Sequence, residues 1–195
     1  MERERVRELH YITPVENLPS MARYGLVSHE RARSMPHSSV ALDSVQNVRA
    51  TRRVPRGGRL HQYVNLYLDA RNSMMFYLKE NEQKPIVVLR IDTAVLDLPH
   101  VAISDGNAAS DITRFYPSPD GLAALTEELV FAESWNHPDY WTKRELKRKR
   151  CAEVLVPHRI PVEFIKGILA ADPGNSEVGR DFGWPGEVNP YVFFR

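Results

Sequence analysis

At 195 residues, 43 % hydrophobic and 26 % charged, the chain has the size and composition of one globular domain with its own core, which excludes a disordered or fibrous protein. A formal net charge of +1 excludes a uniformly basic binder, and a single cysteine, Cys151, excludes an intrachain disulfide and a cysteine-rich zinc site. No run of about 18 apolar residues occurs, so no transmembrane helix is expected. The charged start MERERVREL lacks an apolar signal region, and a reducing, cytoplasmic location is the expectation.

Residues 10–13 (HYIT) predict a short strand. Residues 15–19 (VENLP) then open a helix to about Tyr24, with Asn17 as N-cap, Pro19 in the first turn and Gly25 as C-cap. Residues 28–40, rich in Ser, His and Arg, read as a surface loop. Residues 40–53 have helical spacing through Val45 and Val48, with arginines on the other side, and Pro55, Gly57 and Gly58 stop the helix. Residues 60–68 (LHQYVNLYL) alternate apolar and polar and predict a strand. A turn or helix start over 69–72 and a short helix over 73–78 follow, and residues 85–92 (PIVVLRID) carry the strongest strand signal. A strand over 101–104, a helix over 121–132, a loop over 133–140 and a basic helix or ordered loop over 141–150 come next. Residues 152–157 predict a strand, 162–169 a short helix or strand, and 191–194 a final aromatic strand. Strands and helices are interspersed without βαβ alternation, which favours a single α+β domain over a doubly wound sheet.

The Walker A loop, the GxGxxG turn, the GxSxG elbow and HExxH are all absent. P-loop hydrolysis, Rossmann hydride transfer and zinc hydrolysis therefore lose their usual signatures, and no metal site is expected. The cations fall in two clusters: Arg49, Arg52, Arg53, Arg56 and Arg59, then Lys143, Arg144, Lys147, Arg148, Lys149 and Arg150. Local basic patches on a near-neutral chain suit a directed anion; the alternative is two solvated faces. The second cluster runs straight into AEVLVP, placing Glu153 at the mouth of an apolar strand. A carboxylate there is costly to bury without a task, although from this segment alone a capped strand after a solvated basic helix is the better explanation. Cys151, beside the same cations, reads as a small packing residue.

Taken in order, HYIT, NLPSMARYGL, an arginine helix, LHQYVNLYLDARNSMMFY and a basic run before AEVLV together resemble the DarT family of NAD-dependent DNA ADP-ribosyltransferases, toxins of DarT/DarG-type pairs. The resemblance runs from about His10 to Leu169. Asn65 stands where that family has proline, Leu66 and Leu68 replace aromatics, and Ala70 and Met74 replace prolines. These departures bear on substrate and subgroup. The resemblance implies an ADP-ribosyltransferase fold, a split mixed β-sheet around an NAD cleft with flanking helices. It implies transfer of ADP-ribose from NAD to a base, thymine favoured, in single-stranded DNA. It also implies a macrodomain antitoxin of the DarG type, a role in toxin–antitoxin control or phage defence, and a chain monomeric when free.

By the same correspondence Glu153 and Arg49 are catalytic, with Arg52 as the alternate arginine. His10, Tyr11, Thr13, Asn17, Leu18, Gly25 and Tyr67 contact NAD. Lys143, Arg144, Lys147, Arg148 and Trp141 face the nucleic acid. A carboxylate accepting a hydrogen bond from the ribose 2′-OH stabilises an oxocarbenium-like transition state. An arginine could bind the diphosphate or favour deprotonation of a ring nitrogen such as thymine N3. Trp135, Tyr140 and Trp141 could stack on bases or anchor their loop on the core. His10 and Tyr67 could equally be structural. Three further readings stay open: single-stranded RNA as acceptor, protein as acceptor, and a nucleic-acid-binding module without chemistry.

Overall fold

The computed structural model describes residues 1–81 and 84–195. In chain order it contains β1 (Leu9–Pro14), α1 (Leu18–Tyr24), β2 (Leu26–Val27), α2 (His29–Ala32), α3 (Asp43–Thr51), β3 (Tyr63–Tyr67), α4 (Ser73–Asn81), β4 (Ile86–Ile91), β5 (Ala102–Ser104) and β6 (Phe115–Pro117). There follow α5 (Glu127–Val130), α6 (Tyr140–Lys149), β7 (Glu153–Pro157), β8 (Arg159–Ile160), β9 (Ile165–Ala170), α7 (Pro173–Ser176) and β10 (Gly186–Val188). Eight strands form one sheet in the order β10-β9-β4-β1-β3-β7-β5-β6, and β2 pairs with β8 as a separate ribbon. The β9–β10 pair is parallel and the other neighbours are antiparallel, so the sheet is mixed, as expected for the α+β class.

The sheet is also split. β1 runs beside β4 from Leu9↔Ile91 to Pro14↔Ile86, yet it meets β3 at the single pair His10↔Tyr67. Beyond that pair the two strands diverge, and the gap is the mouth of a cleft.

The two faces of the sheet are packed differently. Val64 and Leu66 of β3 alternate with Tyr63, Asn65 and Tyr67, so one face receives the aliphatic set and the other the polar and aromatic set. The aliphatic face carries the large core, including Leu9, Leu66, Leu89, Ile91, Val154 and Val156. The opposite face carries two smaller clusters. One joins Ile12, Val88 and Leu169 to Met75 and Leu78 of α4; the other joins Val54, Leu60, Tyr63 and Leu155. β4 and β7 are buried on both faces, which is why their sequences read as continuous apolar runs. Each such side chain contributes about 1.5–3 kcal/mol of burial.

Four expected elements differ. The helix expected over 121–132 is a 3-10 turn, Asp120–Ala124, followed by α5, because Leu125 is extended (φ −93°, ψ 136°) and breaks the i→i−4 ladder. The aromatic strand expected over 191–194 is a 3-10 turn, Pro190–Phe193, where Asn189 caps Val192 and Pro190 presets the first φ. Residues 162–169 divide into a 3-10 turn, Val162–Phe164, and β9. The surface loop expected over 28–40 contains α2, and its second half is a strap across the cleft.

Candidate active site

The strand register builds the site. Ser104 of β5, Glu153 of β7, Tyr67 of β3 and His10 of β1 pair in succession, so they form one row across the sheet. Glu153 is 1 % exposed and Arg49 6 %. Arg49, the buried residue of α3, faces the carboxylate with both terminal nitrogens: Nη1 donates to Oε1 at 3.2 Å and Nη2 to Oε2 at 3.0 Å. The backbone N–H of Ala108 adds a bond to Oε1 at 2.9 Å. Ser104 fixes the backbone beneath: its Oγ accepts the Glu153 N–H at 3.1 Å and donates to the Gly106 carbonyl at 2.7 Å.

Burial opposes the charge on Arg49, but Glu153 beside it prevails and raises its pKa. The Tyr67 phenol is pushed well above its ordinary value by burial and then by the Glu153 charge, so it stays protonated. Burial likewise raises Tyr11. Of the arginines in the first basic cluster, Arg49 is therefore the one joined to the carboxylate. Arg52 turns away to Asp111 and the Thr113 carbonyl.

Where β1 and β3 separate lies an open cleft bordered by Tyr11, Thr13, Asn17, Gly25, Arg49 and Tyr67. Gly25 has φ +74°, and a Cβ there would lie 2.2 Å from the Ile160 carbonyl oxygen, so the closure of α1 against β8 requires glycine. Asn17 does not cap α1 with its side chain. Its amide instead clamps the strap: Nδ2 donates to the Ser38 carbonyl at 2.8 Å, and Oδ1 accepts the Ser38 N–H at 2.9 Å. Nδ2 also reaches Thr13 Oγ1 at 3.2 Å. Two expected cofactor contacts lie elsewhere. Leu18 is in the large core. His10 is held by Glu8, Nε2 to Oε1 at 3.1 Å, and is not on the cleft wall. His10 shares its sheet face with Tyr67 and Glu153, while Tyr11 and Thr13 take the other face.

The second basic cluster is divided by its helix. Lys143, Arg144, Lys147 and Trp141 are exposed, Trp141 at 69 %. The Arg144 guanidinium lies over the rings of Trp141 and Tyr140, at 5.3 and 5.6 Å from their centroids. Arg148, expected to face nucleic acid, instead turns inward. It bonds Asp105 Oδ1 (2.9 Å), Thr113 Oγ1 (2.9 Å) and both oxygens of Glu145 (2.8 and 2.7 Å). Lys149 also bonds Asp105, at 2.8 Å, and Arg150 bonds Asp69, at 2.6 Å. Burial works to raise the Asp105 pKa, but Arg148, Lys149 and the Arg114 N–H outweigh it and hold this carboxyl at about 2. Trp135 packs edge-on against Phe76 and Phe194 as the anchoring tryptophan.

Sequence reasoning missed Ser104 and the Ala108 N–H, because a backbone donor in a loop carries no side-chain signature. It also passed over His61, the histidine of LHQY, which borders the cleft. Among the described residues no cluster of acidic, His or Cys side chains could hold a metal.

A family model described as DarT, ssDNA thymidine ADP-ribosyltransferase, matches residues 10–180. The chain belongs to the DarT family. A DNA ADP-ribosyl transferase–DNA ADP-ribosyl glycohydrolase fusion protein of Thermosipho africanus is 30 % identical over 173 residues, 86 % of this chain and 43 % of that protein. The chain thus spans under half the length of that DarT relative. A DNA ADP-ribosyl transferase of Thermus sp. is 29 % identical over 82 % of this chain and 79 % of its own length. The solved structure of Thermus sp. DarT in complex with ADP-ribosylated single-stranded DNA superposes with a TM-score of 0.83 at 25 % identity, covering 97 % of each chain. The ADP-ribosyltransferase fold expected from the DarT motifs is the fold of this chain.

Proposed function

We propose that this chain is an NAD-dependent transferase that moves ADP-ribose onto thymidine in single-stranded DNA and releases nicotinamide. The observation that carries this reading is the Arg49–Glu153 pair beside the open cleft. NAD supplies the ADP-ribosyl group, activated by its nicotinamide leaving group.

An ionised carboxylate has about four acceptor positions. On Glu153, Oε1 takes Arg49 and Ala108, whereas Oε2 takes Arg49 alone. The free lone pair of Oε2 can accept a ribose hydroxyl, a bond that strengthens as positive charge develops on the sugar. Three donors and a strand hold Glu153 in place beforehand, so little reorganisation is needed at the transition state. Arg49 orients the carboxylate through two hydrogen bonds, and its charge would favour loss of a proton from a thymine ring nitrogen brought beside it. Tyr67, kept neutral, offers a ring face to nicotinamide.

Lys143, Arg144 and Lys147 are assigned to the phosphates of the acceptor strand and Trp141 to a base. Thr13, Asn17, Gly25 and Tyr11 are assigned to the donor side, Asn17 through the strap it holds. His10 and Leu18 act behind the cleft wall as packing and positioning groups. The fused relative suggests a reversing glycohydrolase of macrodomain type as partner, within a toxin–antitoxin pair in the cytoplasm. Among the described residues no helix is long and apolar enough to cross a membrane.

The test is incubation with adenylate-labelled NAD and pooled single-stranded DNA and RNA, beside Glu153→Gln. Label on DNA that the variant fails to transfer is the expected result. Label on RNA alone replaces the acceptor, and absence of NAD binding overturns the reading.

A further inference from the structure

The cleft has a second chemical centre away from Glu153. His29 at the start of α2 and His61 just before β3 both border it, with ring centroids 4.2 Å apart and planes 36° from parallel. His37 of the strap and Arg49 of α3 border the same space. Among the described residues bordering the cleft there is no aspartate or glutamate. The carboxylate assigned to catalysis, Glu153, is engaged by Arg49. Three imidazoles and a guanidinium around one cavity, without a lining counter-charge, suit an anionic ligand.

We propose that His29 and His61 form the subsite for the donor's diphosphate and take up protons as it binds, so that the donor is held more tightly as pH falls. The inference rests on the NAD-dependent reading above. His61 Nε2 is 3.0 Å from Gln46 Oε1. With that oxygen accepting, the neutral ring keeps a lone pair on Nδ1, the atom that protonation converts into a second donor. In the free protein both rings are held below the ordinary histidine pKa. Burial is the main cause for each, followed for His29 by His37, Arg33 and Arg49, and for His61 by His29 and Arg49. Gln46 opposes the shift at His61, and Arg33 adds to it. A diphosphate between the rings reverses the balance, because its charge favours both protonated forms. The free pair is held toward its uncharged form, and a bound diphosphate draws it toward the charged one. Affinity therefore rises as pH falls through the bound-state pKa, and levels off below the free-state pKa. The limit is about tenfold per pH unit for each proton taken up.

The probe is ADP-ribose, whose diphosphate diester does not titrate in this range, with adenosine as the phosphate-free control. Calorimetric titration of the whole chain between pH 6 and 8, in buffers of different ionisation enthalpy, reads both affinity and proton uptake. We expect ADP-ribose to bind at least about threefold more tightly at pH 6 than at pH 7.5 with net proton uptake, and adenosine to bind independently of pH. The double variant His29→Gln/His61→Gln, its fold checked by thermal unfolding, should lose that dependence. Should the variant not fold, imidazole NMR of the unmodified protein gives the same reading through upward movement of both histidine titrations on adding ADP-ribose. A pH-independent ADP-ribose affinity, or a dependence that survives the double variant, overturns the proposal and leaves the transferase reading standing. Failure of ADP-ribose to bind at any pH overturns both.

Discussion

The two basic clusters look alike in sequence and do opposite things. In the first, Arg49 is buried on Glu153 and Arg52 is half-buried against Asp111 and the Thr113 carbonyl, while Arg53, Arg56 and Arg59 point to solvent. In the second, half the cations turn inward: Arg148, Lys149 and Arg150 pair with Asp105, Glu145 and Asp69, while Lys143, Arg144 and Lys147 stay out. The helical period makes the division. Residues 143, 144 and 147 share one face of α6, and residues 145, 148 and 149 share the other, three and four apart. A charge run therefore says nothing of function until each member's partner is known. The inward cations hold the entry to β7 and its carboxylate, and the outward ones remain available to a polyanion.

The largest effects should come from the inward pair. Glu153→Gln should lower transfer by roughly 10²–10³-fold or more, measured with labelled NAD and oligonucleotide. Glu153→Ala should also lose about 3–5 kcal/mol of stability in urea unfolding, because it leaves Arg49 charged and buried without a partner. Replacing both members, Arg49→Met with Glu153→Leu, should recover much of that stability and none of the activity. A double variant as unstable as the single one would break the assignment of the pair's role.

Arg148→Ala should come next, at about 1–3 kcal/mol of stability for the charged hydrogen bonds lost, with an unchanged salt dependence of DNA binding. A reduced salt slope in that variant would place Arg148 with the outward set. The Asp105 carboxyl gives the pH counterpart. Its pKa is depressed to about 2 from 3.8. Its contribution to stability is therefore full above 3.8 and disappears as pH falls toward 2, a loss on acid unfolding that Asp105→Asn should not show.

Smaller effects should follow on the outward face. Trp141→Ala should weaken single-stranded DNA binding by about 1–3 kcal/mol if one base stacks on it, and leave unfolding unchanged. Lys143→Ala and Lys147→Ala should each reduce the slope of log affinity against log salt by about 0.7. Slopes equal to the unmodified protein's would remove α6 from the acceptor site.

The sequence by itself determined β1, β3, β4, β5 and β7 of the central sheet, though neither β6 nor β10, and with them the α+β class and the family, because apolar alternation, glycine closure at Gly25 and the order of the motifs are local properties of the chain. It also placed Glu153 at the start of a buried strand. Tertiary structure alone decided which arginine meets that carboxylate. Five arginines lie within one short stretch, and the choice falls to Arg49 because α3 packs its last turn over the row Ser104–Glu153–Tyr67. Tertiary structure also turned Arg148 inward and made Asn17 a clamp in place of a cap. Arg148 and Asn17 depend on partners distant in sequence: Asp105 and Thr113 for the arginine, and Ser38 for the asparagine. Long-range pairing decides the fate of a polar side chain, because burial is tolerated where its hydrogen bonds are met, and a linear pattern carries no record of which groups will meet them.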